Sequence, residues 1–214
     1  MTAGSSERDI VAPLATEVRH LVRIAGAIAG SDERTVRDVM TEAVNVDSSA
    51  VDEIILQSYL FAGFPRALNA ARAWRSVSGA SAPAQDPDAD SADLERWRER
   101  GVRTCEIVYG ESYVPLRRNI RGLHPALDEW MIVDGYGKVL SRPGVDLRTR
   151  ELCVVAACAV AGQQRQLHSH LHGALNAGAT VDEVRATLDA VKDLISADDL
   201  GKFHQLLSKV ATPP

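Results

Sequence analysis

The sequence predicts an all-α protein, a bundle of helices with no strand of consequence. Three observations carry that prediction. The apolar fraction is 45% while aromatics make up 5%; Leu, Val and Ala supply most of it, a mix that suits packed helices rather than a β-sandwich. Apolar residues recur at helical spacing on both sides of one polar stretch. Capping residues and glycines punctuate the periodic runs.

At 214 residues the chain is long enough to bury a proper core, as one large domain or two small ones. The net charge of −5 is spread over interspersed acids and bases, so no basic face calls for nucleic acid. The opening "MTAGSSERDIVAPLATEV" lacks the charged and apolar regions of a secretion signal. No apolar run reaches membrane-spanning length. Three cysteines, Cys105, Cys153 and Cys158, make no disulfide framework. The expectation is a soluble cytoplasmic protein with no membrane partner.

Taken in order, "LATEVRHLVRIAGAIAG" reads as a helix, and "SDERTVRDVMTEAVNV" as another with Ser31 at its N-cap. "SAVDEIILQSYLFAGFPRALNAARAWRSV" is helical with a bend or break near Gly63 and Pro65. "GASAPAQDPDADSAD" (79–93) has no large apolar residue and reads as a linker. It divides a unit at 1–78 from a unit at 94–214. In the second unit Ser91 can cap "DLERWRERGVRTCEIVYG", and "HPALDEWMIVDGYGKVLSR" follows. Asp146 opens the apolar helix "LRTRELCVVAACAVAG". Gln163 to Asn176 form the next helix, closed by Gly178, and Thr180 with Glu183 has capping-box spacing. The halves also resemble each other. "RIAGAIAG" (23–30) lines up with "VAACAVAG" (155–162), and "EAVNVDSSAVDEI" with "GALNAGATVDEV", so a duplicated helical unit is expected.

The stretch 148–184 holds the most chemistry per residue. On a wheel of about 100° per residue, Leu167, Leu171, Ala174, Leu175 and Gly178 form the core face of the Gln163–Asn176 helix. Gln163, Gln166 and His170 share one edge of that face, while His168 and His172 share the other. Cys153 and Cys158 are five apart, roughly 140° around the wheel, inside an apolar run, so they read as inert core thiols. His168 and His172 have i, i+4 spacing but no accompanying third ligand, so no metal is assigned. Glu151 heads an otherwise apolar helix. It is either a charge favoured at a helix N-terminus or a partly buried acid, with His170 as its natural partner for acid/base work. The competing reading is an acid and a core-edge histidine that only stabilise the hairpin. Glu151 near one helix start and His170 two turns into the next are expected to need a bend or crossing to meet.

These residues resemble the carboxymuconolactone decarboxylase family, small all-helical proteins that include alkyl hydroperoxidase D-type enzymes. The resemblance runs from about Trp97 to Val184 and rests on "RGVRTCEIVYGESYV", "DGYGKVLSRPGVDLRTREL" and "LHSHLHGALNAGATVDEV". Upstream, "YLFAGFPRALNAAR" (59–72) matches the segment that follows the histidine helix in the family. The resemblance implies an alkyl hydroperoxidase D-like bundle of two degenerate units. Its peroxidase branch carries an acid, a Cys–x–x–Cys and a histidine, which fall here on Glu151, on Gln163 and Gln166, and on His170. Without the thiols the peroxide chemistry is absent, and the acid and histidine remain as catalytic candidates with no cofactor.

Tyr136, Gly137 and Leu140 depart from the tryptophan-containing pattern of the decarboxylases. The first copy has Arg19 where the second has Glu151, and Asp38 or Val39 where it has His170, which implies a catalytically dead unit. The second copy reads "LDAVKDLISADDLG" in place of "YLFAGFP". One composite site per chain follows, with Gln163, Gln166, Arg142, Tyr136, Tyr59 and Phe64 as substrate-binding candidates. Arg142 is the candidate to hold a substrate carboxylate bidentately, or alternatively forms an interface ion pair. The implied activity is loss of CO2 from a small carboxylated lactone or β-keto acid. A non-catalytic scaffold or small-molecule-binding member is the alternative, and a thiol peroxidase ranks below both. Family assembly implies a homo-oligomer, with a trimer of two-unit chains ahead of a dimer.

Overall fold

A computed structural model describes residues 14–89 and 94–212. Helices account for nearly all of its regular structure, and the described residues contain no strand. The N-terminal part holds α1 (Thr16–Gly30), α2 (Glu33–Glu42), α3 (Ser48–Ala62) and α4 (Phe64–Ser78). Then come α5 (Leu94–Tyr109), α6 (Tyr113–Leu123) and α7 (Pro125–Trp130). A wide-turned π-helical segment, Met131–Leu140, continues α7. The C-terminal part holds α8 (Leu147–Val160), α9 (Gln164–Asn176), α10 (Val181–Ala190) and α11 (Ala197–Ala211).

Local chemistry sets these boundaries. α3 and α4 break at Gly63, whose φ of 82° lies in the left-handed region, with Pro65 in the first turn beyond. Asp146 caps α8 by accepting from the Thr149 N–H at 3.0 Å, and Thr180 and Glu183 close a reciprocal capping box on α10. The N-cap of α2 is Asp32 rather than the expected Ser31: its carboxylate accepts from the Thr35 N–H at 2.8 Å. The Ser31 carbonyl instead accepts from Arg66. The expected Ser91 cap lies outside the described residues.

One continuous buried cluster runs from Leu21 on α1 to Leu207 on α11, drawing on both ends of the chain. α1 packs on α8 at close range: a Cβ on Gly30 would sit 2.6 Å from the Val160 carbonyl oxygen. α5 and the π segment approach as closely, because Gly101 and Gly137 face each other's backbone and a Cβ on either would overlap the opposing carbonyl. That contact brings Tyr109 and Tyr136 together. The stretch from Gly79 to Ala89 carries no helix, yet charge pins it in place. Asp86 accepts from Arg142 at 2.7 Å, and buried Asp88 takes Arg96 and Arg100 at 2.8 and 3.1 Å. α1, α2 and α3 succeed one another much as α8, α9 and α10 do, with an Asp or Thr side chain capping the third helix each time.

Candidate active site

α8 is almost wholly buried, and Glu151 faces inward from its second turn. The neighbouring side chain, Arg150, is locked the other way. Its guanidinium donates to Glu53 Oε2 at 2.7 Å and to the carbonyls of Arg142, Pro143 and Val145, while Gln57 hydrogen-bonds to both its backbone and side chain. Glu151 Oε2 lies 2.8 Å from His170 Nδ1. Both residues are buried, Glu151 completely, whereas His170 keeps 6% of its surface exposed and so presents one thin edge outward.

The register of the hairpin lets the two side chains meet without requiring a bend. Eleven residues run from Glu151 to the Gly162 turn and eight from there to His170. At 1.5 Å per residue the axial mismatch is about 4.5 Å, which two long side chains close. The expectation of a large separation came from counting from the helix starts instead of from the turn. Gly173 makes room for the carboxylate: a Cβ there would lie 2.6 Å from Glu151 Oε2 and 2.7 Å from Val108 Cγ1.

Around the imidazole stand aromatic rings from two other helices. Phe61 of α3 lies edge-on, with ring centroids 6.0 Å apart, and Tyr109 of α5 lies 6.4 Å away. Tyr109 in turn meets Tyr136 edge-on, with ring centroids 6.0 Å apart. Burial pushes the Tyr109 phenol up to about 12 and the Tyr136 phenol well above its ordinary value, so both stay protonated donors. Glu151 Oε1 is buried with no hydrogen-bond partner among the described residues. A buried acceptor of this kind is costly unless a proton or ligand group meets it.

The sequence candidates divide. Glu151, His170 and Tyr136 gather at one place. Phe61, which sequence reasoning passed over for Tyr59 and Phe64, is the ring from segment 59–66 that faces His170. Phe64 is 63% exposed and meets Tyr59 at a tilt, with ring centroids 5.5 Å apart. Helical spacing from buried Ile54 and Gln57 would have selected Phe61, since i, i+3 and i+7 share a face. Tyr109 was also missed, although it lies within the motif "RGVRTCEIVYG". Gln163 sits at the α9 N-cap position, half-buried, with its side-chain oxygen 3.9 Å from Cys158 Sγ, while Gln166 and Gly178 face solvent instead of the core edge and core.

Arg142 is committed elsewhere. It forks onto Glu53 at 2.9 and 3.0 Å and reaches Asp86 at 2.7 Å, so the ion-pair alternative describes it and a free substrate clamp does not.

The cysteines are core thiols. Cys105, Cys153 and Cys158 are all buried and unpaired in disulfides. Desolvation pushes Cys105 and Cys158 up to about 12 and raises Cys153 as well, which keeps them from forming thiolates. His168 and His172 pack together at 5.1 Å, on the other edge of α9 from His170. Among the described residues no group of three or more His, Cys, Asp or Glu side chains converges to hold a metal. None of the described helices is long and apolar enough to cross a membrane.

Comparison with known proteins places this geometry in context. Residues 129–193 match the model of the carboxymuconolactone decarboxylase family. The chain is 31% identical over 133 residues to peroxisomal protein 2 of Schizosaccharomyces pombe, covering 62% of each protein. It is 29% identical over 94 residues to 4-carboxymuconolactone decarboxylase of Acinetobacter baylyi, covering 44% of this chain and 69% of that enzyme. The chain thus spans under two thirds of the yeast relative's length. Glu151, Gln163, Gln166 and His170 all fall inside the matched segment, so over residues 129–193 the part of the chain that carries the acid and the histidine is similar to the carboxymuconolactone decarboxylase family.

Proposed function

We propose that the protein is a cofactor-free acid/base enzyme that removes CO2 from a small carboxylated lactone or β-keto acid. The observation that supports this reading is the buried Glu151–His170 pair, with Nδ1 of the imidazole fixed at 2.8 Å. As the C–C bond to the carboxylate breaks, its electron pair spreads into the conjugated carbonyl, and CO2 departs. The carbanionic carbon then takes a proton, leaving an enol-lactone or ketone. A histidine oriented through Nδ1 by a carboxylate has Nε2 free to deliver that proton. The aromatic wall of Phe61 and Tyr109 keeps the local dielectric low, which strengthens each electrostatic contact made there.

Phe61 stands on the N-terminal part and His170 on the C-terminal part, so the site is composite, in keeping with a duplicated chain whose first unit carries no acid–histidine pair. Cytoplasmic residence and assembly as a trimer of such chains belong to the same proposal. A thiol-dependent peroxidase is disfavoured, since glutamines occupy both thiol positions and the remaining cysteines are buried. Departures at Tyr136 and Leu140 favour a binding protein as the second reading. Screening a panel of lactone and β-keto acids for CO2 release separates the two: turnover abolished by His170→Ala supports the enzyme, and saturable binding without CO2 release supports the binding protein.

A further inference from the structure

We infer that the groove between α2 and α4 binds a small amphipathic anion, a carboxylate or phosphate ester carried on an apolar body. The groove encloses about 890 Å³, inside the range of roughly 300–1,000 Å³ for small-molecule sites. Neither Glu151 nor His170 lines it. Its floor is apolar: Ile28, Val36 and Ala70 are buried, and Ala73 is partly so.

Its rim is cationic. Arg34, Arg37, Arg66 and Arg72 border the groove against Asp32 and Glu33, an excess of two positive charges in a chain whose net charge is −5. Both acids are engaged with hydrogen-bond donors other than arginine: Asp32 caps α2, and Glu33 accepts from Asn69 at 2.7 Å. Among the described residues Arg37, Arg66 and Arg72 form no ion pair, in contrast to Arg117, Arg142 and Arg150, and Arg34 has only a loose, exposed one of 3.9 Å to Asp38.

The unpaired guanidinium groups are nevertheless held. Arg66 donates to the carbonyls of Ile28, at 2.6 Å, and Ser31. Arg37 donates to Ser76 Oγ and Arg72 to Asn69 Oδ1, each at 3.1 Å. A guanidinium carries five N–H donors, so each keeps some for an incoming carboxylate or phosphate, in the fork geometry those anions accept. Partial fixation before binding lowers the entropy lost on capture. A bare anion would leave the apolar floor uncovered and a neutral amphiphile would leave the arginines unmatched, so the fit requires head and body together.

The test is calorimetric titration of the full chain with octyl phosphate and with octanoate below micelle formation, alongside inorganic phosphate and octyl glucoside. At least one alkyl anion should bind saturably, tenfold or more tightly than either control, and the tighter of the two identifies the head group. Arg37→Glu and Arg72→Glu should each weaken that binding tenfold or more, while Arg118→Glu, the same charge change on exposed α6, should not. Circular dichroism checks each fold, and Arg37→Gln and Arg72→Gln replace any variant that does not fold. Absence of saturable binding, equal binding of inorganic phosphate, or equal weakening by Arg118→Glu would overturn the assignment. CO2 release plays no part in the readout, so failure here is distinct from failure of the decarboxylase reading.

Discussion

His170 Nδ1 and Glu151 Oε2 meet at 2.8 Å across the hairpin of α8 and α9, nineteen residues apart in sequence. The contact fixes one ring nitrogen and leaves the other for chemistry, so the two residues should fail differently when changed. His170→Ala should cut any CO2-releasing turnover by about 10²–10⁴-fold, the usual span for a lost general acid. Glu151→Gln should cost less, on the order of tenfold, because the amide oxygen can still accept from the ring but the charge is gone. Steady-state rates on the best substrate of the panel check both. Equal, full activity in the two variants would leave the pair a structural one.

Gly173 offers a test that touches neither group directly. A methyl there would fall 2.6 Å from Glu151 Oε2 and 2.7 Å from Val108 Cγ1, so the carboxylate or the helix must shift. Gly173→Ala should lower turnover tenfold or more. Its effect on stability sets the helix-propensity gain of alanine against overpacking of about 1–3 kcal/mol, so a net loss is expected from thermal melts. Unchanged rates with an unchanged melting temperature would show that the pair tolerates displacement.

Much of this was readable beforehand, and the failures have physical causes. The helices, the Gly63 break, the Asp146 cap and the Thr180 capping box followed from local chemistry, which needs no tertiary information. Glu151 and His170 were readable as a pair because an acid heading an apolar helix and a histidine at a core edge are both conspicuous. Their closeness was misjudged, since the distance in a hairpin depends on counting from its turn. For Arg142 the choice between clamp and ion pair stays open in the sequence, which gives no sign that Glu53, 89 residues upstream, and Asp86 converge on it. Ser31 lost the cap of α2 to Asp32 by a single position, the scale at which helix ends are least legible. Phe61 was hidden among the aromatics of its own segment, and only its helical register separates it from Tyr59 and Phe64.

The thiols make a negative prediction with a positive control. Cys153 and Cys158 lie fully in the core, and desolvation keeps them as thiols, Cys158 up to about 12. The native protein should react with a thiol-specific disulfide reagent at pH 8 many times more slowly than the unfolded chain. Replacing both by Ser should leave kcat nearly unchanged while costing about 1–3 kcal/mol per buried hydroxyl. Loss of turnover in a correctly folded double variant would restore a redox role.

Asp128 supplies the pH dependence. It is buried on α7, where the Arg117 guanidinium forks onto it and Arg121 joins at 2.6 Å, so α6 is tied to α7 through one carboxylate. The Arg117 hydrogen bond above all, against some desolvation and with help from Arg121, holds its acidity below the ordinary aspartate range. A carboxyl whose proton affinity is lowered by folding stabilises the fold in full above its unfolded value, about pH 3.9. That contribution disappears as pH falls through the lower folded value. Arg121 is largely exposed and adds little on its own, so most of the effect rests on Arg117. Asp128→Asn should therefore cost about 2 kcal/mol at pH 7, seen as a lower melting temperature. The gap between variant and parent should narrow as pH drops below about 4 and close once the parent's own carboxyl is protonated. A gap that stays constant from pH 7 to pH 2 would mean that packing, and not the ion pair, holds the α6–α7 hairpin.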